Sequence, residues 1–136
     1  MFVLGFDFGI KYIGIAVGQK ITKTSNPLTS IFIKDDFYFK EIIYYIDYWS
    51  PVDVIIGYPF IYNNYDNSKF IIELEKFIEN VFNNIVVPIH IVNENLSTWE
   101  SKKIIFNKSF HKRYFVSVNA LSAAILIEQW FLKNLI

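Results

Sequence analysis

The 136-residue chain contains no cysteine. That absence removes disulfides, thiolate zinc sites and cysteine nucleophiles together, and it suits a reducing compartment. Net charge is absent as well, with 13 basic and 13 acidic side chains, so total charge carries no nucleic-acid signal. No run of about 18 or more apolar residues occurs, although 53% of the chain is hydrophobic. The longest candidate, 120–132, is broken by Glu128 and Gln129. The first residues have no basic stretch, and Asp7 interrupts the apolar run too early for a signal peptide. A cytoplasmic protein without membrane association is therefore expected. No repeat, low-complexity linker or composition break is visible, which predicts a single domain over 1–136. Alanine is scarce, while there are 23 isoleucines and 12 asparagines. Ile, Asn, Lys, Phe and Tyr share A+T-rich codons, so some Asn and Ile positions can reflect base bias instead of design.

With only 19% charged residues, disorder is excluded and the question is how the apolar residues are arranged. Residues 2–8 form an apolar run ending at Gly9, which suits a buried central strand. Ile13–Val17 follows after a short turn and predicts an antiparallel hairpin. A third strand is predicted over Ser30–Ile33, after a turn around Asn26-Pro27. Phe37–Trp49 has helical spacing at Ile42, Ile43, Ile46 and Trp49, stopped by Ser50-Pro51. Val52–Gly57 reads as a buried strand, and Asp66–Phe82 as an amphipathic helix facing inward through Phe70, Leu74, Phe77, Ile78 and Val81. Ile85–Val92 predicts a strand around Pro88, which places Pro88 at its start or on an edge. Ser97-Thr98-Trp99-Glu100 is a capping box that opens a helix running to about Phe106. Val118–Leu132 is the last helix. The class is α/β, with a mixed five-stranded sheet of three antiparallel and then two parallel strands, flanked by helices.

Ligands on such sheets gather at the carboxyl ends of central strands. That rule points to Asp7, near the end of the first strand, and to Glu94, just past the last. Asp7 shares a strand face with Gly5 and Gly9, where backbone can approach a ligand closely. A buried carboxylate needs a cation, a metal or a set of donors; a structural Asp capping the Gly9 turn is the plainer alternative. Two carboxylates on one rim suit a hard divalent cation, which prefers oxygen ligands. Between Glu100 and Glu128 there is no acid, yet Lys102, Lys103, Lys108, Lys112 and Arg113 all fall there. This segment is either a phosphate-binding patch or an ordinary solvated helix end and loop. His111 beside it reads as a solvated loop histidine ahead of a general base or ligand, and Tyr114 and Phe115 as packing aromatics ahead of rings that stack on bases.

Four blocks, in order and suitably spaced, carry a resemblance. Gly5-Phe6-Asp7-Phe8-Gly9-Ile10-Lys11-Tyr12-Ile13-Gly14-Ile15-Ala16-Val17 resembles the opening LGLDFGTKRIGVAV signature of the YqgF/RuvX family. Ile55-Ile56-Gly57-Tyr58-Pro59 is similar to its VVGLP strand and turn. Asn93-Glu94-Asn95-Leu96-Ser97-Thr98 matches the place of DERLT or DERLST, and Val118-Asn119-Ala120-Leu121-Ser122-Ala123-Ala124 that of VDxxAA. The resemblance covers essentially the whole chain.

What it implies is an RNase H-like fold and a metal-dependent nuclease acting on structured nucleic acid. The implied role is processing of the 5′ end of pre-16S ribosomal RNA, with the ribosome as a partner and DNA junctions as a further substrate class. The family's acidic site maps to Asp7, Glu94 and Asn119, which would hold Mg²⁺ or Mn²⁺. Lys11 and the segment holding Lys102, Lys103, Lys108, Lys112 and Arg113 would meet phosphates. Three positions depart from the pattern: Asn119 replaces an acid, Tyr12 a basic residue and Asn95 an arginine. The second reading is a catalytically impaired RNA-binding protein that keeps the fold. A phosphate-binding ATPase of the actin or sugar-kinase type would need a second such domain, and the chain has no room for one.

Overall fold

The computed structural model describes residues 1–34, 37–58, 68–93 and 118–134. These form five strands and three helices: β1 (Phe2–Phe8), β2 (Tyr12–Gln19), β3 (Thr24–Phe32), α1 (Tyr38–Trp49), β4 (Asp53–Tyr58), α2 (Ser68–Asn84), β5 (Ile89–Asn93) and α3 (Val118–Lys133). The sheet order is β3-β2-β1-β4-β5. β1 pairs antiparallel with β2, and β2 with β3, while β4 and β5 run parallel to β1. The mixed five-stranded α/β sheet is as expected.

Alternation along β1 and β2 sorts side chains onto two faces. Leu4, Phe6 and Phe8 of β1 and Ile13, Ile15 and Val17 of β2 enter one core with α1 and α2. There Leu74, Phe77 and Val81 of α2 are fully buried, and Phe77 meets Phe6 edge-on with centroids 5.8 Å apart. This is the inward face expected of that helix. The opposite face carries Val3, Ala16, Ile55 and Val92, packed against Ala123, Ala124, Leu126 and Ile127 of α3.

Two boundaries differ from expectation. β3 begins at Thr24, so Asn26-Pro27 lies inside a strand and not in a turn. The turn comes earlier, where Lys23 takes a left-handed φ of 54° and its N–H donates to the Gln19 carbonyl. Pro27 is tolerated because β3 is an edge strand, and a bulge beside it between Ile15 and Ala16 absorbs the extra residue, Leu28. At the other edge, β5 starts at Ile89, after Pro88; residues 85–88 are not strand. Proline cannot donate to the ladder, so pairing resumes beyond it. The helix expected over 98–106 and the first two residues of the one expected over 66–82 lie outside the described residues.

The seating of α3 depends on Gly14. A Cβ there would lie 1.9 Å from the Asn119 carbonyl oxygen and 2.6 Å from the Ala120 nitrogen. Both are backbone atoms and cannot rotate away. Gly14→Ala should therefore destabilise the fold by about 3 kcal/mol, the upper end of ordinary overpacking costs. Urea denaturation measures this; a midpoint equal to that of the unsubstituted chain would show that α3 does not rest on the sheet here.

Candidate active site

Asp7 lies on the face of β1 that meets α3, near its carboxyl end, and is only 8% exposed. Its cross-strand partner is Gly14. Because Gly14 has no side chain, the backbone of Asn119 at the start of α3 rests directly on β2 beside Asp7. The Asn119 amide reaches the same corner from above: a Cβ built on Gly9 would come 3.6 Å from Asn119 Oδ1. Two residues far apart in sequence thus share one rim through contacts made at glycines. The close approach predicted at Gly5 has a different occupant. A Cβ there would meet Ile127 Cγ1 at 2.7 Å and the Ala123 carbonyl oxygen at 3.0 Å, so a helix and not a ligand uses that space.

The N-terminus of α3 adds a fixed partial positive charge at this corner, because the first N–H groups of a helix lack internal partners. No acidic side chain lies in the first turn to offset it. A carboxylate on the sheet below and the phosphate of a ligand above are both favoured by that field. The β1–β2 connection closes the rim. The Gly9 N–H donates to the Tyr12 carbonyl at 2.8 Å, and the Ile33 N–H to the Lys11 carbonyl at 2.7 Å, leaving the Lys11 side chain exposed.

The donors Asp7 and Asn119 bring to this corner are oxygens, one of them anionic, which fits a hard divalent cation such as Mg²⁺ or Mn²⁺. Glu94, the third expected ligand, lies outside the described residues, as do Lys102, Lys103, Lys108, Lys112 and Arg113. β5 carries the chain to the same edge at Asn93, one residue before Glu94. Among the described residues no three His, Cys, Asp or Glu side chains cluster as a metal site.

A second buried carboxylate on this face escaped sequence reasoning. Asp53, at the start of β4, accepts from Lys20 Nζ at 3.1 Å, and its other oxygen lies 2.8 Å from His90 Nε2. Trp130 of α3 packs on the His90 ring with centroids 4.7 Å apart, and Lys20 Nζ lies 5.9 Å from the Trp130 ring centre. Asp53 pairs with Val3, at the opposite end of the sheet from Asp7. The signal was an acid inside the apolar run 52–57, the same signal that singled out Asp7. Here a lysine and a histidine of the protein answer it, and the group ties the end of β2 to β4, β5 and α3.

A mixed sheet of this order, with a buried aspartate at the carboxyl edge of the central strand beneath a helix N-terminus, is the RNase H-like fold. Solved structures share the fold. "T. thermophilus RuvC in complex with Holliday junction substrate" superposes with a TM-score of 0.70 at 15% identity, covering 99% of this chain and 96% of that one. The Fowlpox virus resolvase bound to Holliday junction DNA gives 0.64 at 15% identity, with both chains fully covered. Among sequence relatives, the "Putative pre-16S rRNA nuclease" of Buchnera aphidicola subsp. Baizongia pistaciae is 36% identical over 138 residues, 98% of each chain. The protein of the same name from Proteus mirabilis is 35% identical over 133 residues, covering 95% of this chain and 94% of its own. The RuvX family, Holliday junction resolvase, matches residues 1–133, and the chain belongs to it. No described helix is long and apolar enough to cross a membrane.

Removing the Asp53 carboxylate leaves His90 and Lys20 without their acceptor. Asp53→Ala should cost about 1–3 kcal/mol of stability in chemical denaturation. Metal-dependent activity at 25 °C should stay unchanged; its loss in a folded variant would mean that this end of the sheet takes part in the chemistry.

Proposed function

We propose that the chain is one domain over 1–136, working as a cytoplasmic, metal-dependent nuclease that processes the 5′ end of pre-16S ribosomal RNA. The observation that carries this reading is the corner where Asp7, buried on β1, meets the N-terminus of α3 and the Asn119 amide. The names of the full-length relatives supply the substrate.

In this reading Asp7, Glu94 and Asn119 would hold Mg²⁺ or Mn²⁺. When bound, the cation supplies activation of the attacking water and stabilisation of charge on the phosphate. Asp7 pairs with Gly14 of β2, and its neighbour Phe6 pairs with Ile56 of β4, so its carboxylate needs little reorganisation to bind. The N–H groups opening α3 orient the phosphate, and Lys11 with Lys102, Lys103, Lys108, Lys112 and Arg113 holds the flanking strand through its phosphates.

Asn119 favours a second reading. It presents an oxygen but no negative charge, which weakens a cation site built from anionic ligands. A chain that keeps the fold and basic residues while losing the cation is an RNA-binding protein. A DNA-junction nuclease is a third, favoured by the structural neighbours' bound substrates.

Cleavage of a precursor rRNA fragment and of a four-way DNA junction, with Mg²⁺ or Mn²⁺, separates these readings. Asp7→Asn should lower cleavage at least about a hundredfold, since metal-supplied stabilisation amounts to several kcal/mol. Asn119→Asp should lower the Mn²⁺ concentration for half-maximal rate about tenfold by restoring ligand charge. Cleavage by Asn119→Asp alone would assign the natural chain to binding; no cleavage by any variant would reject the nuclease.

A further inference from the structure

Beyond Gly14, the sheet face that carries Asp7 continues to Tyr12, two residues or about 7 Å along β2. Tyr12 pairs across the strands with Phe32 at the end of β3. Ile13 and Ile31, their neighbours, enter the opposite core, so alternation turns both rings to the α3 face. α3 begins over Gly14, short of this pair. The two rings lie side by side, with centroids 5.3 Å apart and planes tilted by 48°. Each remains open to solvent, 43% for Tyr12 and 50% for Phe32. Ile10, at the tip of the same hairpin, is 85% exposed. Past Phe32, a groove of about 360 Å³ runs between the end of β3 and the start of α1, lined by Phe32, Lys34, Phe37, Tyr38 and Glu41.

Exposed aromatic rings are costly on a free surface, and these adjoin the proposed cleavage corner. Cations flank them on both sides, Lys11 in the hairpin tip and Lys34 just after β3. Adjoining aromatic and basic side chains on an open sheet face match the two parts of a single-stranded nucleic acid: bases stack on rings while phosphates meet cations. Resting on the nuclease reading above, we propose that Tyr12 and Phe32 form a stacking platform for an unpaired base next to the phosphate presented to Asp7. The platform demands that the strand be unpaired at this point. It therefore selects single-stranded or splayed segments over continuous duplex. Tyr12 and Phe32 are positioning residues in this assignment, because neither touches the reacting atoms.

The test compares 12-mers of oligo(A), oligo(U) and an abasic ribose-phosphate chain, bound in EDTA so that nothing is cut. The three carry the same phosphates and differ in what can stack. The unsubstituted chain should bind oligo(A) about tenfold more tightly than the abasic chain, with oligo(U) between. Tyr12→Leu combined with Phe32→Leu should abolish that preference while leaving the salt dependence of binding unchanged. Tyr12→Phe, which keeps the ring, should retain it. The unsubstituted chain alone already decides the matter if the leucine variant fails to fold: equal affinity for all three, or binding to none, overturns the platform. So does loss of the preference in Tyr12→Phe equal to that in the double leucine variant. A chain that cuts rRNA but shows no base preference loses the platform and keeps the nuclease. Ring-dependent preference in a chain that never cuts keeps the platform and loses the nuclease.

Discussion

Helix α3 reaches the sheet because the sheet offers it bare backbone. Gly5, Gly14 and Gly18 lie on the face that α3 covers, and a Cβ at any of them would come within 3 Å of an α3 atom. The helix answers with Ala120, Ala123 and Ala124, buried residues with the smallest of side chains, from a chain that uses alanine sparingly. Ser25 of β3 adds a hydrogen bond to the Ala124 carbonyl at 2.8 Å. The contact at Gly14 is backbone to backbone, so the place of residue 119 does not depend on its side chain. Everything proposed for the corner follows from that seating: Asn119 stands over Asp7, and the helix N-terminus points where a phosphate would lie.

Two buried aspartates on one face show how the same burial is resolved in two ways. Asp53 is answered by Lys20 and His90, and the result is a tie between elements. A group so satisfied has little left to offer a ligand. Asp7 lies at the other end of the same face, under a helix N-terminus whose diffuse positive field favours a carboxylate. The two ends of the sheet thus hold their carboxylates in different surroundings, and total charge, which is zero, records none of it.

Legibility of the sequence followed periodicity. The central strands and the inward faces of α1 and α2 were readable because burial on a strand repeats every second residue and on a helix every third or fourth. β3 was not, since Pro27 reads as a turn unless one knows that the strand lies at an edge beside a bulge. The start of β5 was misplaced for a related reason: Val86 and Val87 are apolar, but pairing needs an N–H donor that Pro88 lacks. Asp7 and position 119 could be linked through resemblance, yet the agent that joins them, the missing side chain at Gly14, carries no periodic signal. His90 was passed over because a histidine in an apolar strand announces nothing until Asp53 stands beside it. The rings of Tyr12 and Phe32 were equally silent, as aromatics make up 19% of the chain and most of them pack.

Asn119 gathers these threads. Asp and Asn are nearly identical in shape, and the backbone seats the residue at Gly14 whichever one is present, so the exchange alters charge with little change in geometry. Its two consequences pull in opposite directions. A divalent cation loses anionic ligand charge and binds less tightly. The positive end of α3 loses the acid that would have opposed it, and a phosphate approaching the corner is more strongly attracted. On the proposed reading, the exchange would shift the corner from holding metal towards holding phosphate. In a chain that also carries Tyr12 where its family pattern has a cation, the proposed binding would draw more on bases and on the helix terminus than on a dense cluster of charges.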